Sequence, residues 1–173
     1  ASLGQVHKAV AHDGRLLAVK LQYPDMQSAV AADLSQLKVV FALHARMDPA
    51  VETGEILKEI SERLKEELDY ELEAQNTRAV GRAHRGHPFI VIPEVVTDLC
   101  RPRVIVMDFI DGVGHDEVAR RDQATRDRVA EIIFRFYFGA MYRHNAFSGD
   151  PHPGNSLLLA DGRMAFLDFG LFK

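Results

Sequence analysis

The strongest constraint on this chain is a polar loop joined to an Asp-Phe-Gly segment by a short predicted hairpin. The loop, Asp-Pro-His-Pro-Gly-Asn, occupies residues 150–155, and Asp-Phe-Gly occupies residues 168–170. Between them, two apolar stretches flank an Asp-Gly turn signal, so the chain returns beside its start. We therefore expect Asn155 and Asp168 to be neighbours. A carboxylate and a carboxamide supply the hard oxygen ligands that Mg²⁺ prefers.

The spacing within this loop matches the signature of protein kinases. In that signature a catalytic Asp precedes a metal-binding Asn by five positions, and a metal-binding Asp-Phe-Gly follows. Asp150 and Asn155 have this spacing. The pattern predicts that Asn155 and Asp168 bind the metal. It predicts that Asp150 orients an attacking hydroxyl or water or accepts its proton. Asp-Phe-Gly alone is a common turn-like tripeptide, and the prolines of the loop could simply stiffen it. Their joint occurrence favours a catalytic site.

A lysine near the start of the chain fits the same pattern. Residues 6–22 read as two strands around the turn signal Asp13-Gly14, and Leu-Ala-Val-Lys-Leu at 17–21 matches the kinase strand whose Lys reaches the phosphates of ATP. A single strand lysine is usually a solvated edge charge. The position of Lys20 upstream of the two metal motifs favours a phosphate-binding role.

An acidic segment at 67–73, Glu-Leu-Asp-Tyr-Glu-Leu-Glu, lies within a predicted helix. Asp69 and Glu73 are four apart and would share a helix face, where like charges repel. Two interpretations remain open. The face is a solvated acidic surface, or it faces Lys20 and a basic group outside this sequence.

The order of predicted elements is a sheet, helices, more strands, a helix and a small hairpin. Hydrophobic periodicity and the positions of Pro and Gly predict helices over 26–46, 55–85 and 124–144 and strands over 90–98 and 103–108. The segment 55–85 is either one long helix or a kinked pair. Asp48-Pro49 should end the first helix. The apolar and aromatic middle of the last helix indicates that it lies inside a lobe. We expect a five-stranded amino-terminal lobe over 1–111 and the start of a helical lobe over 112–173.

Composition excludes several classes of protein. The 173 residues are 47% apolar and 27% charged, which is typical of a globular chain with a core. The net charge of −4 gives no overall electrostatic reason to expect a nucleic-acid partner. Cys100 is the single cysteine, so an internal disulfide is excluded and a reducing compartment is the default.

The chain also lacks a sequence signal for a membrane span. The longest apolar stretch, 132–142, is short and contains Arg135. We expect a cytoplasmic or peripheral membrane protein, organellar in a eukaryote. The sequence does not begin with Met, and both ends read as cuts through a longer chain.

Taken together, the motifs resemble the UbiB/AarF family of atypical kinases. The resemblance rests on five segments in order: Ala-Ser-Leu-Gly-Gln-Val-His at 1–7, Val-Lys-Leu-Gln-Tyr-Pro at 19–24, Glu-Leu-Asp-Tyr at 67–70, Gly-Asp-Pro-His-Pro-Gly-Asn at 149–155, and Leu-Asp-Phe-Gly at 167–170. It implies an α+β, protein-kinase-like two-lobe fold, truncated at both ends. The family's Lys-x-Gly-Gln extension would precede residue 1, and most of the carboxy-terminal lobe would follow residue 173.

The same resemblance implies roles for further residues. Ala1 and Ser2 would end the family's Ala-rich nucleotide loop. Glu67 and Asp69 would be its Glu-x-Asp pair, which meets the extension, and Glu73 would form an ion pair with Lys20. There is one departure: many members have His-Thr-Asp or His-Ala-Asp before the loop Pro, whereas this chain has Ser-Gly-Asp at 148–150.

The implied function is that of an ATP- and Mg-binding kinase or ATPase linked to ubiquinone biosynthesis. Lipid or quinone precursors and a membrane surface are the implied partners besides ATP. A nucleotide-sensing pseudokinase and a small-molecule phosphotransferase are the alternatives, and the segment at 1–5 and the Glu-x-Asp helix count against the latter. The sequence does not specify the phosphate acceptor. His152 stands where protein kinases carry Lys, so a protein substrate is not assumed.

Overall fold

The computed structural model describes residues 3–47, 52–144 and 147–172. Within these ranges the elements are β1 (Gly4–Val10), β2 (Leu16–Gln22), α1 (Met26–Met47), α2 (Thr53–Glu67), α3 (Tyr70–Ala83), β3 (Ile90–Val91), β4 (Val104–Asp108), α4 (His115–Val118), α5 (Gln123–His144), β5 (Ser156–Leu158) and β6 (Met164–Phe166). Short 3-10 turns at Thr97–Leu99 and Pro153–Asn155 complete them. Helices and strands are mixed, as the predicted α+β class requires.

The first sheet has three antiparallel strands in the order β1-β2-β4, so Lys20 lies on its central strand. The β1–β2 turn is closed by the amide of Ala11, which donates to the carbonyl of Arg15 at 2.8 Å. Gly14 in this turn has φ of 86°, a conformation that glycine adopts without strain. The predicted hairpin is therefore present, with the expected pairing.

The prediction of a five-stranded amino-terminal lobe is wrong. Instead of one strand over 90–98, the strand here is limited to Ile90–Val91, which runs parallel to β6 in a second sheet of order β3-β6-β5. Pro93 follows two residues after Val91, and proline has no N–H to continue a ladder. Val95 contributes a single bridge to Met107 of the first sheet.

The predicted helix over 55–85 is two helices, which corresponds to the kinked-pair alternative. α2 ends at Glu67 and α3 begins at Tyr70, with Leu68 and Asp69 between them. α1 matches its predicted range within one residue. The predicted stop at Asp48-Pro49 lies outside the described residues.

The main core joins α3, α5, β3 and β6. Its buried residues are Val80, Ile90, Val118, Val129, Ile132, Phe136, Met164, Phe166 and Phe169. The rings of Phe136 and Phe166 stack with centroids 3.7 Å apart. This core includes residues from both sides of the boundary at 111/112, and the division into two domains there stays a prediction.

Only one face of α5 is buried, although its composition predicted a helix enclosed in a lobe. Phe134, Phe138 and Tyr142 are exposed on the other face. In the part of the chain that is described, no helix combines the length and the apolar character needed to cross a bilayer.

Candidate active site

Lys20 is the centre of the site. Its Nζ donates to both carboxylate oxygens of Glu73, at 2.8 and 2.9 Å, and to Oδ2 of Asp168 at 3.2 Å. The predicted ion pair with Glu73 is thus present, and the contact with Asp168 was not predicted. The ammonium also lies 5.1 Å from the ring centroid of Tyr70, within cation–π range. The side chains of Lys20 and Glu73 are only 18% and 3% exposed, so this ion pair is largely shielded from water.

The charges of this group are not balanced, because one ammonium faces two carboxylates. Burial lowers the pKa of Lys20, but the negative charges of Glu73 and Asp168 outweigh it and hold that pKa above its ordinary value. Burial raises the pKa of Glu73, and Asp168 adds to this while Lys20 opposes it. Burial also raises the pKa of Glu67. The site carries an excess of negative charge, which favours an additional cation.

Asp168 is held in a defined orientation by the turn that follows it. Its Oδ1 accepts a hydrogen bond from the amide of Gly170 at 3.0 Å. Between them, the side chain of Phe169 is 2% exposed and packs at the edge of the Phe136 ring. The aromatic anchor and the local hydrogen bond together direct the Asp168 carboxylate toward the cleft.

The small hairpin brings Asn155 beside the Asp-Phe-Gly segment. β5 and β6 pair antiparallel, and the amide of Leu167 donates to the carbonyl of Asn155 at 2.9 Å. The Asn155 side chain donates to Oδ2 of Asp150 at 3.4 Å. Within the loop, Nδ1 of His152 accepts from the amide of Gly154 at 3.0 Å, which fixes the 3-10 turn.

These residues meet in a cleft of about 400 Å³ between the two sheets. Its lining includes the predicted residues Lys20, Glu67, Glu73, Asp150, Asn155 and Asp168. Apolar side chains make up most of the remaining lining: Leu3, Val6, Ala18, Met107, Phe109, Ile110, Leu157, Leu167 and Leu171. A cleft with apolar walls and a few convergent polar groups is the usual form of a small-molecule site.

Three predicted binding residues remain to be placed. Ala1 and Ser2 lie outside the described residues, and their role stays a prediction. Asp69 does not line the cleft. It is the N-cap of α3, where its Oδ1 accepts from the amide of Leu72 at 2.9 Å. The expectation that it lies on a helix face with Glu73 is wrong, because the helix begins after it.

The available oxygen ligands fit Mg²⁺. The described residues contain no cluster of three Asp, Glu, His or Cys side chains that could hold a metal. The candidate ligands are instead a carboxylate and a carboxamide, Asp168 and Asn155. Mg²⁺ commonly binds through one or two protein ligands together with substrate phosphates, so such a small set is sufficient.

Sequence reasoning missed two residues of α3 that belong to the site. Tyr70 is buried beside Lys20, and its hydroxyl lies so close to Gly4 that a Cβ there would be 2.5 Å from it. Asn76 donates to the carbonyls of Phe169 and Phe172. Tyr70, Glu73 and Asn76 follow each other at intervals of three, so helical periodicity anchored on Glu73 would have found them.

A central-strand lysine paired with a helix glutamate, beside a hairpin flanked by Asn and Asp-Phe-Gly, defines a protein-kinase-like domain. The family model described as the ABC1 atypical kinase-like domain matches residues 1–173. The chain belongs to this family, as the resemblance to the UbiB/AarF proteins predicted.

Individual relatives agree with this assignment. The chain is 32% identical over 180 residues to AarF domain-containing protein kinase 1 of Xenopus tropicalis, which covers 100% of the chain and 34% of the relative. It is 33% identical to the protein ACTIVITY OF BC1 COMPLEX KINASE 1, chloroplastic, of Arabidopsis thaliana, covering 98% of the chain and 26% of the relative. The chain therefore spans about a third or less of these proteins.

A solved structure has the same fold. It is described as the complex structure of Rv3197–erythromycin from Mycobacterium tuberculosis, and it superimposes with a TM-score of 0.87 at 39% sequence identity. The match covers 100% of this chain and 44% of that one. The predicted protein-kinase-like fold is thereby confirmed.

Proposed function

We propose that this chain binds Mg–ATP in the cleft between its two sheets and acts on the terminal phosphate as a kinase or ATPase. The observation that carries the proposal is the position of Lys20. Its ammonium lines the cleft and is paired with Glu73, as the phosphate-binding lysine of a kinase is paired with a helix glutamate. It also contacts Asp168. Family members are named kinases, which supports the same class of activity.

Four polar residues of the cleft take three parts in this proposal. Lys20 would bind the phosphates, because it is the cation that lines the cleft among the described residues. Asp168 and Asn155 would hold Mg²⁺, which would neutralise charge that develops on the phosphate oxygens. Asp150 would take the proton of the attacking hydroxyl or water.

The existing hydrogen bonds of Asp168 leave room for a metal. Its two oxygens accept from Gly170 and Lys20, one bond each. An ionised carboxylate has about four acceptor positions, so each oxygen retains a free lone pair. The bonds already present orient the group without using all of its capacity.

Two isosteric substitutions test the proposal. Asp168→Asn removes the anionic metal ligand and should abolish Mg-dependent ATP binding and turnover. Asp150→Asn should leave binding intact and reduce kcat by roughly a hundredfold or more, the usual size of a general-base contribution. Asp116→Asn, an exposed carboxylate on α4, is the matched control.

The measurements are ATP affinity by calorimetry with and without Mg²⁺, and release or transfer of phosphate. Full turnover by both site variants would overturn the enzyme proposal. Binding without turnover in the wild type would instead favour the nucleotide-sensing pseudokinase.

The remaining question is which molecule accepts the phosphate. We propose a quinone precursor or another lipid-linked molecule, on the basis of the resemblance to the UbiB group. Mass spectrometry of reactions supplied with quinone precursors, aminoglycosides or water alone separates a lipid kinase, a small-molecule phosphotransferase and an ATPase. Phosphate transfer only to an aminoglycoside would reject the quinone link.

A second candidate function is the binding of a macrolide. The structural relative at 39% identity was solved in complex with erythromycin, which favours testing that ligand. Titration of the protein with erythromycin, in the presence and absence of Mg–ATP, gives the affinity and any coupling between the two ligands. No heat or spectral change at millimolar erythromycin would reject this candidate.

A further inference from the structure

Asn76 closes the turn that follows the Asp-Phe-Gly segment. It lies one helical turn after Glu73 on α3, and its Nδ2 donates to the carbonyl of Phe169 at 3.0 Å and to that of Phe172 at 3.1 Å. The amide of Phe172 also donates to the Phe169 carbonyl at 3.3 Å. Both hydrogens of one carboxamide nitrogen are therefore used to hold the two ends of a single turn.

This turn contacts both loops that carry the candidate catalytic residues. On one side, Phe169 is bonded covalently to Asp168, whose carboxylate is fixed by the amide of Gly170. On the other side, the amide of Gly149 donates to the carbonyl of Leu171 at 2.7 Å. Gly149 directly precedes Asp150. The turn thus sets the position of the metal-site carboxylate and of the loop that bears the candidate base.

The two loops approach each other closely at Gly149. A Cβ on Gly149 would lie 3.1 Å from the carbonyl oxygen of Leu171 and 3.2 Å from its Cβ. Ser148 forms a further bridge to Phe172. A glycine at 149 therefore lets the loop pack directly against the turn that Asn76 holds.

We propose that Asn76 is a positioning residue that couples α3 to the orientation of Asp168 and Asp150. The proposal rests on the proposed Mg–ATP function for its kinetic consequences, and on the hydrogen bonds alone for its structural ones. Because Glu73 and Asn76 are on the same helix, one position of α3 satisfies both the Lys20 ion pair and the turn. A displacement of α3 would release the lysine and both loops together.

Hydrogen exchange tests, without any ligand, whether Asn76 holds the two loops in place. Asn76→Asp keeps the shape of the side chain but removes both donors and places a carboxylate against two carbonyl oxygens. The amides of Gly149, Gly170 and Phe172 should then exchange severalfold faster, whereas amides of β2 should not change. Gln75→Glu is the matched control, since it makes the same chemical change on the exposed face of α3. Asn76→Ala replaces Asn76→Asp if the latter does not fold.

The Mg²⁺ dependence of ATP binding tests whether Asn76 affects the metal site. Loss of a residue that orients a metal ligand typically costs roughly 10- to 100-fold in metal affinity. Asn76→Ala should raise the Mg²⁺ concentration for half-maximal ATP binding by that factor and lower kcat. The affinity for ATP without Mg²⁺ should be unchanged, because Lys20 is not altered.

The outcomes separate this inference from the proposed function. Unchanged exchange at the three amides would overturn the inference, whether or not the protein is active. Faster exchange with an unchanged Mg²⁺ requirement would reduce Asn76 to a structural residue and would also overturn it. If the wild type does not bind Mg–ATP at all, the proposed function fails, and the exchange result alone decides the role of Asn76 in holding the loops.

Discussion

Lys20 is the residue on which the most contacts of the site converge. The central strand carries the lysine, α3 supplies its partner Glu73, and the Asp-Phe-Gly segment supplies the second carboxylate, Asp168. Since Glu73 is nearly inaccessible, its charge depends on this one cation. A nucleotide phosphate entering the cleft would meet an ammonium that is already oriented.

Replacing Lys20 should therefore reduce stability as well as nucleotide binding. Lys20→Met leaves two carboxylates facing each other, one of them buried, and should lower the free energy of unfolding by about 3 kcal/mol. The double variant Lys20→Met/Glu73→Gln removes the uncompensated charge and should recover most of that loss without restoring ATP binding. Urea denaturation of the wild type and both variants measures this. An additive loss in the double variant would contradict the ion-pair account.

The raised pKa of Lys20 predicts the pH range of this stabilisation. A cation whose folded pKa exceeds its unfolded value of about 10.4 contributes fully below that pH and loses its contribution as the pH rises through the folded pKa. The difference in unfolding free energy between the wild type and Lys20→Met should not decline between neutral pH and about pH 10, and it should shrink above that range. Urea titrations over this range test the sign. A difference that already declines near neutral pH would show that the lysine is not stabilised by its neighbours.

At the scale of elements, the junction between α2 and α3 sets the direction of the helix that bears Glu73. The chain leaves α2 at Leu68, whose carbonyl accepts from Nε2 of Gln22 on β2 at 2.9 Å. Asp69 then caps α3. The junction is thus tied to the same strand that carries Lys20. The contact between Gln22 and Leu68 therefore lies close in sequence to both partners of the ion pair, Lys20 on β2 and Glu73 on α3.

Substitutions of Asp69 distinguish its capping role from the nucleotide-site role that the family resemblance implies. Asp69→Ala should cost about 1 kcal/mol of stability, the usual loss for an N-cap. Asp69→Ser retains a capping oxygen, so stability and ATP affinity should both remain near the wild-type values. Thermal unfolding and calorimetry supply the two readouts. Loss of ATP binding in Asp69→Ser with unchanged stability would assign Asp69 to the site after all.

At the scale of the whole molecule, α3 contributes to the hydrophobic clusters on both sides of the cleft, with Tyr70 in the cluster of the first sheet and Val80 in the main core. Val80 and Ile90 from the amino-terminal region pack with residues of α5 and β6 in a single cluster. Phe169 belongs to the same cluster, so the aromatic residue of Asp-Phe-Gly is anchored in the shared core. Unfolding should therefore disrupt the site and the core together.

A core substitution on α5 should test this link in the present chain. Phe136→Ala removes the ring that stacks on Phe166 and should cost about 3–5 kcal/mol. Phe138→Ala, on the exposed face of the same helix, is the control and should cost far less. Circular dichroism and exchange at Gly170 should report one common transition. Loss of helix signal before exposure of Gly170 would show that the two regions unfold separately.

The sequence alone determined the two hairpins and the spacing of Asp150 and Asn155, because each follows from local turn chemistry or a short motif. The pairing of Lys20 with Glu73, 53 residues apart, was implied only by the family resemblance. Turn chemistry at Asp13-Gly14 and at 161–162 closes the hairpins with neighbours in the chain, so no distant contact is needed. The fragmentary strand at Ile90–Val91, the break at Asp69 and the contacts of Asn76 were decided only by the tertiary structure. The two-residue strand forms because β6 lies beside it. The carboxamide of Asn76 holds the turn because the carbonyl of Phe169, ninety-three residues away, lies within hydrogen-bond distance. Such contacts are set by packing between distant segments, which local patterns do not encode.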